Sequence, residues 1–424
     1  MAYRVSPTFV VRAGYGIYIS QPTGQAFFQS VLGAPFSLFR ENVGRANASA
    51  TLSAPFPQPF PTPDFFPNFP PYSPTSGVTL YGASPDFRPA FVQQYGANIQ
   101  FALAKDWTLE LGNVNARSTH LLRTRSLNQA LSASPSSPIR DEISNTVANI
   151  GLRVPVQGIP PDALGLVGSE GTSSYNDLEV SLNKRLSRGL QFLSSYTFSK
   201  TIDSDPASVN GTSAGNTLTL GDQNSSSQRR GRASFDRTNR FVLSGLYSFP
   251  SPSEPLMRVL FSGWITSGVL TMQSGAALTI AYNNLTNVFG ISEDRAELQP
   301  QCEKSNLVRS GSVESKLANY FNTSCFTAPP VIGADGIGTA FGNSEAGIAN
   351  GPGQSNIDLG ITRTVALAHL HEPINLLFRA EFFNMLNHPQ FSNPNATYGS
   401  ASFGIISSTS VNPRVGQLAV KLLF

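Results

Sequence analysis

Ten segments of this chain read as strands, eight by two-residue hydrophobic periodicity and 239–249 and 262–274 by composition with a blurred alternation, and the connections between them alternate strictly between short and long. The segments are 8–20, 90–102, 106–116, 174–185, 190–200, 239–249, 262–274, 355–365, 373–387 and 414–424. Period-2 alternation marks a strand with one apolar and one polar face. Connections 103–105, 186–189, 250–261 and 366–372 are short, whereas 21–89, 117–173, 201–238, 275–354 and 388–413 are long. A soluble sandwich has no reason to place every long loop at one end, and loops beyond about 12–15 residues are uncommon in compact domains. A transmembrane antiparallel β-barrel has such a reason, with short periplasmic turns and long extracellular loops. The reading is all-β: residues 1–424 form about ten strands of an outer-membrane barrel, with long loops outside.

Composition agrees. Charged residues make up 13% of the chain, about half the usual share of about 25%. The difference is taken up by 36 Gly, 31 Pro and many Ser, Thr and Asn, which favour turns and loops. The 29 Phe and 12 Tyr favour strands. A net charge of +3 without a strongly basic segment gives no nucleic-acid footprint. No stretch approaches the roughly 18 apolar residues of a membrane helix. The start, MAYRVSPTFVVRAGYG, has neither a basic n-region nor an apolar h-region. For an exported barrel this predicts that further chain precedes Met1. Ten strands either close as a small barrel or form part of a larger one, and the missing leader favours the second. A bilayer leaves no sheet edge open, so the first and last strands of a lone fragment must pair or aggregate.

The alternation assigns faces. In segment 174–185, Leu178, Val180 and Leu182 oppose Asp177, Glu179, Ser181 and Asn183. Applied along the chain, it makes Glu110, Asp177, Glu179, Asp358, Arg379, Glu381 and Lys421 candidates for a polar, lumen-facing surface. Structural ion pairs within the wall are the plainer alternative for them. Trp107, Tyr196, Tyr247 and Trp264 suit aromatic girdles at the membrane interfaces.

The last segment, Arg414 to Phe424, alternates and ends in an aromatic residue. It resembles the terminal strand of outer-membrane proteins, a resemblance that makes Phe424 the signal read by the barrel-insertion machinery. Segments Thr8–Gly16, Ser174–Val180, Ser195–Lys200, Gly351–Leu359 and Phe378–Pro389 are similar, in order, to the Oar-like TonB-dependent receptors. That resemblance implies the last ten of 22 strands, without the plug, the first half of the barrel or the segment that contacts TonB. It implies a part of an importer for an unidentified solute. Expected partners are outer-membrane lipid, lipopolysaccharide, the insertion machinery and the absent plug and strands, with TonB reached only through the absent part. An adhesin or structural barrel binding a partner through its loops is the alternative.

Other chemistry is sparse. Cys302 and Cys325 share one loop and can close a disulfide in an oxidising compartment, or remain two thiols. His369 and His371 have the i, i+2 spacing of a metal pair but no third ligand nearby. Asp203-Ser204-Asp205 lacks the rest of a calcium loop, and the basic run 224–232 reads as a solvated loop. The polyproline-like run 54–61 reads as a spacer. Without a nucleophile elbow, phosphate loop or zinc helix motif, no enzyme, cofactor or metal is expected.

Overall fold

The computed structural model describes residues 1–20, 80–204, 220–225, 230–369 and 373–423. Eleven strands follow one another in space in chain order, all antiparallel. They are β1 (Ala2–Ser6), β2 (Phe9–Ser20), β3 (Ala90–Ala104), β4 (Trp107–Ser126), β5 (Leu164–Ser187) and β6 (Leu190–Asp203). The series continues with β7 (Asn239–Ser248), β8 (Trp264–Gln273), β9 (Gln354–His369), β10 (Pro373–Phe383) and β11 (Val415–Leu423). The ten expected strands are all present. β1 is additional: its five residues fold back on β2, with Tyr3 opposite Val11.

Register turns the alternation into two continuous faces. One rung runs Val11, Ile99, Leu111, Val180, Tyr196, Phe241 and Met272 across seven strands. The adjacent rung runs Val10, Gln100, Glu110, Ser181, Ser195, Val242, Thr271 and Asn356. Paired residues share a face, so each strand contributes to the same apolar and the same polar surface.

The short turns follow from local chemistry. Ser187 pairs with Leu190, which leaves Arg188 and Gly189 as a two-residue loop with φ of 49° and 79°. Both central residues at positive φ define the hairpin turn whose twist matches its strands. The expected turn 250–261 is instead a short helix, Pro255–Phe261, with Pro at its first position. Leu256, Val259, Leu260 and Phe261 on it are exposed. Segment 373–387 stops as a strand at Phe383, because Asn384 at φ 49° turns the chain.

β4 and β5 are much longer than expected and run past the other strands, with bulges around His120, which sits at φ 57°. Above them the long loops fold together. The loop after β8 and the loop after β10 share a buried core of Leu278, Ile280, Leu307, Phe321, Phe326 and Ile406. Burial of such side chains contributes about 1.5–3 kcal/mol each. The Cys302 and Cys325 sulfurs are bonded at the edge of this core, with Cα atoms 5.6 Å apart. Backbone bonds from Tyr320 to Gly404 and from Ile406 to Leu317 tie the two loops.

Among the described residues, β1 pairs only with β2 and β11 only with β10. Within the described residues these two strands are the ends of the sheet. All nine residues of β11 are exposed.

Candidate functional site

The polar face is the candidate site, and register places all seven predicted lumen residues on it. Glu110 lies opposite Gln100 and Ser181. Asp177 and Glu179 alternate with Leu178 on β5. Asp358 pairs with Val269, while Arg379 and Glu381 face Ala419 and Gln417. Lys421 stands opposite Leu377. The structure does not gather them into one cluster, because they are spread over five strands.

Several of them are engaged with the wall. Arg12 donates to Gln100 Oε1 at 2.6 Å and lies 3.9 Å from Glu110. Asp177 accepts from the Val114 amide at 2.6 Å and from the Tyr175 hydroxyl at 2.7 Å. Arg379 donates to Glu381 at 2.5 Å on its own strand. Asp358 accepts from the Asn384 amide at 2.8 Å and from Asn356 at 2.9 Å, holding the turn that ends β10. Exposed pairs of this kind contribute at most about 1 kcal/mol each. Their consequence is a hydrated, charge-bearing surface rather than a packed core.

The aromatic residues sort by height. Trp107 stacks edge-on against Phe192 at 5.4 Å and lies 5.8 Å from the Lys184 ammonium. Tyr247 meets Phe249, and Arg363 lies 5.4 Å from the Trp264 ring. All of these lie at the short-turn end, where amphipathic rings and long cations suit a membrane interface. Tyr196 departs from the expectation. It stands four residues farther along β6 than Phe192, and its hydroxyl donates to Asn239 at 2.7 Å.

The remaining candidates of the sequence reading divide as follows. Arg232 of the basic run is structural, bonded to Asp236 at 2.9 Å and Asn350 at 2.7 Å. Asp203 ends β6, and Ser204 exchanges bonds with Thr172. Phe424, Asp205, His371, the side chain of His369 and the run 54–61 lie outside the described residues. Among the described residues, no group of three or more His, Cys, Asp or Glu is arranged to hold a metal ion.

The cap above the strands carries buried polar residues that no periodicity marks. Arg153 is fully buried in the loop after β4. It donates to the carbonyls of Leu131, Thr146 and Val288 and to the side chains of Asn145 and Asn149. Asp335, in the loop after β8, accepts from the Val147 amide at 2.8 Å and so joins the same two loops. Backbone donors hold its carboxyl below the usual carboxylate range. Gln129 and Gln223 bond reciprocally with neighbouring groups, bringing in the loop after β6. The described parts of the loops after β4, β6, β8 and β10 thus form one connected layer.

Asp294 is fully buried in this layer. It accepts from Asn284 at 2.8 Å and from the Arg295 and Gly342 amides. Burial outweighs these donors and the adjacent Arg295, pushing the carboxyl up to about 6. A folded value above the unfolded 3.8 favours the protonated cap. Its stabilising contribution is complete below pH 3.8, declines as pH rises through about 6, and is level above that. Amide exchange at Asn284 and Gly342 is expected to quicken between pH 4 and pH 7 beyond the intrinsic base-catalysed rise, and Asp294→Asn to abolish the excess. The same excess in Asp294→Asn would assign it elsewhere.

A sheet with one apolar and one polar face, long capped loops at one end and aromatic residues at the other defines an outer-membrane barrel wall. The chain belongs to the outer membrane beta barrel domain family, which matches residues 1–417, and its place is the bacterial outer membrane. Among solved structures it is similar to the outer membrane transporter YddB from Escherichia coli, with a TM-score of 0.46 and 7% identity over 99% of this chain and 39% of that one. It is also similar to BauA, the ferric preacinetobactin receptor from Acinetobacter baumannii, with a TM-score of 0.41 and 11% identity over 99% and 35%. A third is FpvA from P. aeruginosa bound to heterologous pyoverdines, with a TM-score of 0.40 and 9% identity over 99% and 31%. The chain thus spans less than half the length of each. No curated protein matches.

Proposed function

We propose that this chain is the C-terminal share of the wall of a TonB-dependent receptor of the Oar-like kind, serving the import of a solute across the outer membrane. The observation carrying this reading is the continuous polar face, which leads from the short-turn end up beneath the capped loops. A barrel that only held its place would need the apolar face. A hydrated inner face with charges on five strands suits a surface past which a solute, or a plug, moves. The segments shared with Oar-like receptors supply the finer assignment. Energy coupling through TonB would belong to parts of the receptor beyond this wall.

The test is to delete the gene region encoding residues 1–424 in the native host and compare growth on single limiting solutes. Loss of growth on one solute, restored by the full gene, is expected. Unchanged growth on every solute, with loss of attachment to a surface or cell, would replace the importer by an adhesin. The joined loops favour that second reading, because a stiff outer layer presents a fixed surface to a partner.

A further inference from the structure

The polar face holds a cavity of about 680 Å³ at the end away from the short turns. Its lining includes Ser118, Tyr175, Thr197, Ser199, Arg237 and Arg240. Arg240 pairs with Thr197 on β6 and Gln273 on β8, so it stands on the polar face. Arg237 lies three residues earlier, just before β7, and donates to the Ser274 carbonyl at 2.8 Å.

The cavity is lined by two arginines and two carboxylates, Asp236 and Glu179, but the carboxylates are not paired with the arginines. Among the described residues, neither Arg237 nor Arg240 forms an ion pair with a carboxylate. Asp236 also lines the cavity, but its carboxylate is occupied by Arg232 at 2.9 Å and by the Thr201 amide at 2.6 Å. Glu179 shares a rung with Arg240 through Thr197. Among the described residues Glu179 forms no ion pair with Arg240, and its carboxyl neighbours those of Asp177 and Glu110. Burial and the neighbouring Arg240 both push the Arg237 guanidinium down. Two neighbouring like charges, Arg237 half-buried and Arg240 exposed, raise the energy of the empty site, and an anion between them lowers it.

We propose that Arg237 and Arg240 form an oxyanion-binding site in the wall, which takes a carboxylate or phosphate group of the passing solute. Paired guanidiniums match the planar or tetrahedral oxygens of such groups with charge-assisted bonds. The hydroxyls of Ser118 and Thr197 supply neutral donors around them, while Ser199 donates to the Arg237 carbonyl at 3.2 Å. This inference rests on the importer reading and adds the chemical class of its cargo.

The test uses the receptor as purified from the native outer membrane and reconstituted into phosphatidylcholine vesicles, titrated calorimetrically with citrate and separately with inorganic phosphate. Saturable binding that weakens with added chloride is expected for at least one probe, and the preferred probe tells carboxylate from phosphate. Arg237→Gln with Arg240→Gln should lower affinity roughly tenfold or more. Arg185→Gln, in the turn at the opposite end, should leave it unchanged. Electrophoretic mobility with and without heating reports folding in the same samples. A folded wild type that binds neither probe, or a folded double variant that binds as well as wild type, overturns the site and leaves the barrel wall standing. A wild type that the native host does not place in the outer membrane overturns both.

Discussion

Val180→Arg is expected to lower folding stability in the bilayer by about 2–4 kcal/mol, the cost of an arginine at the midplane of a barrel's lipid face. Val180 lies on the apolar rung between Leu111 and Tyr196. The girdle gives its depth. Lys184 pairs with Trp107 and Phe192, and Val180 is four residues above it on β5. At about 3.3 Å per residue and a tilt of about 40°, that is roughly 10 Å above the girdle, near the middle of a band about 25 Å tall. Ser181, the next residue, shares the polar rung with Glu110 and Ser195. Ser181→Arg therefore extends into water and should cost under about 1 kcal/mol. Urea titration of both variants in vesicles measures the difference. Equal costs at the two positions would mean that β5 does not separate lipid from a hydrated interior.

This contrast between neighbours is where sequence reading is strongest. Alternation in 174–185 located β5 and assigned both of its faces, because a two-residue period survives whatever lies beyond the sheet. The register agrees with that assignment at Glu110, Asp177, Glu179, Asp358, Arg379, Glu381 and Lys421. Reasoning failed where the period ends. The extensions of β4 to Ser126 and of β5 from Leu164 leave the membrane and lose their alternation, so they read as loop. The helix Pro255–Phe261 was hidden by the prolines around it, which equally suit a turn. Neither arginine of the cavity was legible: the alternation around Arg240 in 239–249 is blurred, and Arg237 sits in irregular chain and meets Arg240 only through the fold. The cap left no trace in the periodicity, since its core draws single residues such as Phe321 and Ile406 from two distant loops.

Arg153→Met is expected to unfasten that cap, with a cost of about 3–5 kcal/mol to the loop after β4. The methionine fills part of the volume but donates nothing. Three carbonyls, of Leu131, Thr146 and Val288, lose a buried guanidinium donor. Each buried acceptor left unmet costs about 1–3 kcal/mol, and some of it returns as water enters or the loop relaxes. Arg153→Lys keeps the charge but cannot serve five acceptors from one ammonium, so it should recover only part of the loss. The location of Val288 makes the prediction specific. It belongs to the loop after β8, and the nearby Ala130 amide donates to the Phe289 carbonyl at 3.0 Å. The Val147 amide is held by Asp335 and the Ala334 amide by the Asn145 carbonyl, again between the two loops. Hydrogen exchange in vesicles should therefore quicken at Ala130, Val147 and Ala334 together, while amides within β5 and β6 stay protected. Faster exchange at Ala130 alone, with Val147 and Ala334 unchanged, would show that Arg153 steadies one loop and that the outer layer does not move as a unit. Coordinated loss makes the cap a single element, so that a solute reaching Arg237 and Arg240 would pass a surface that yields as a whole.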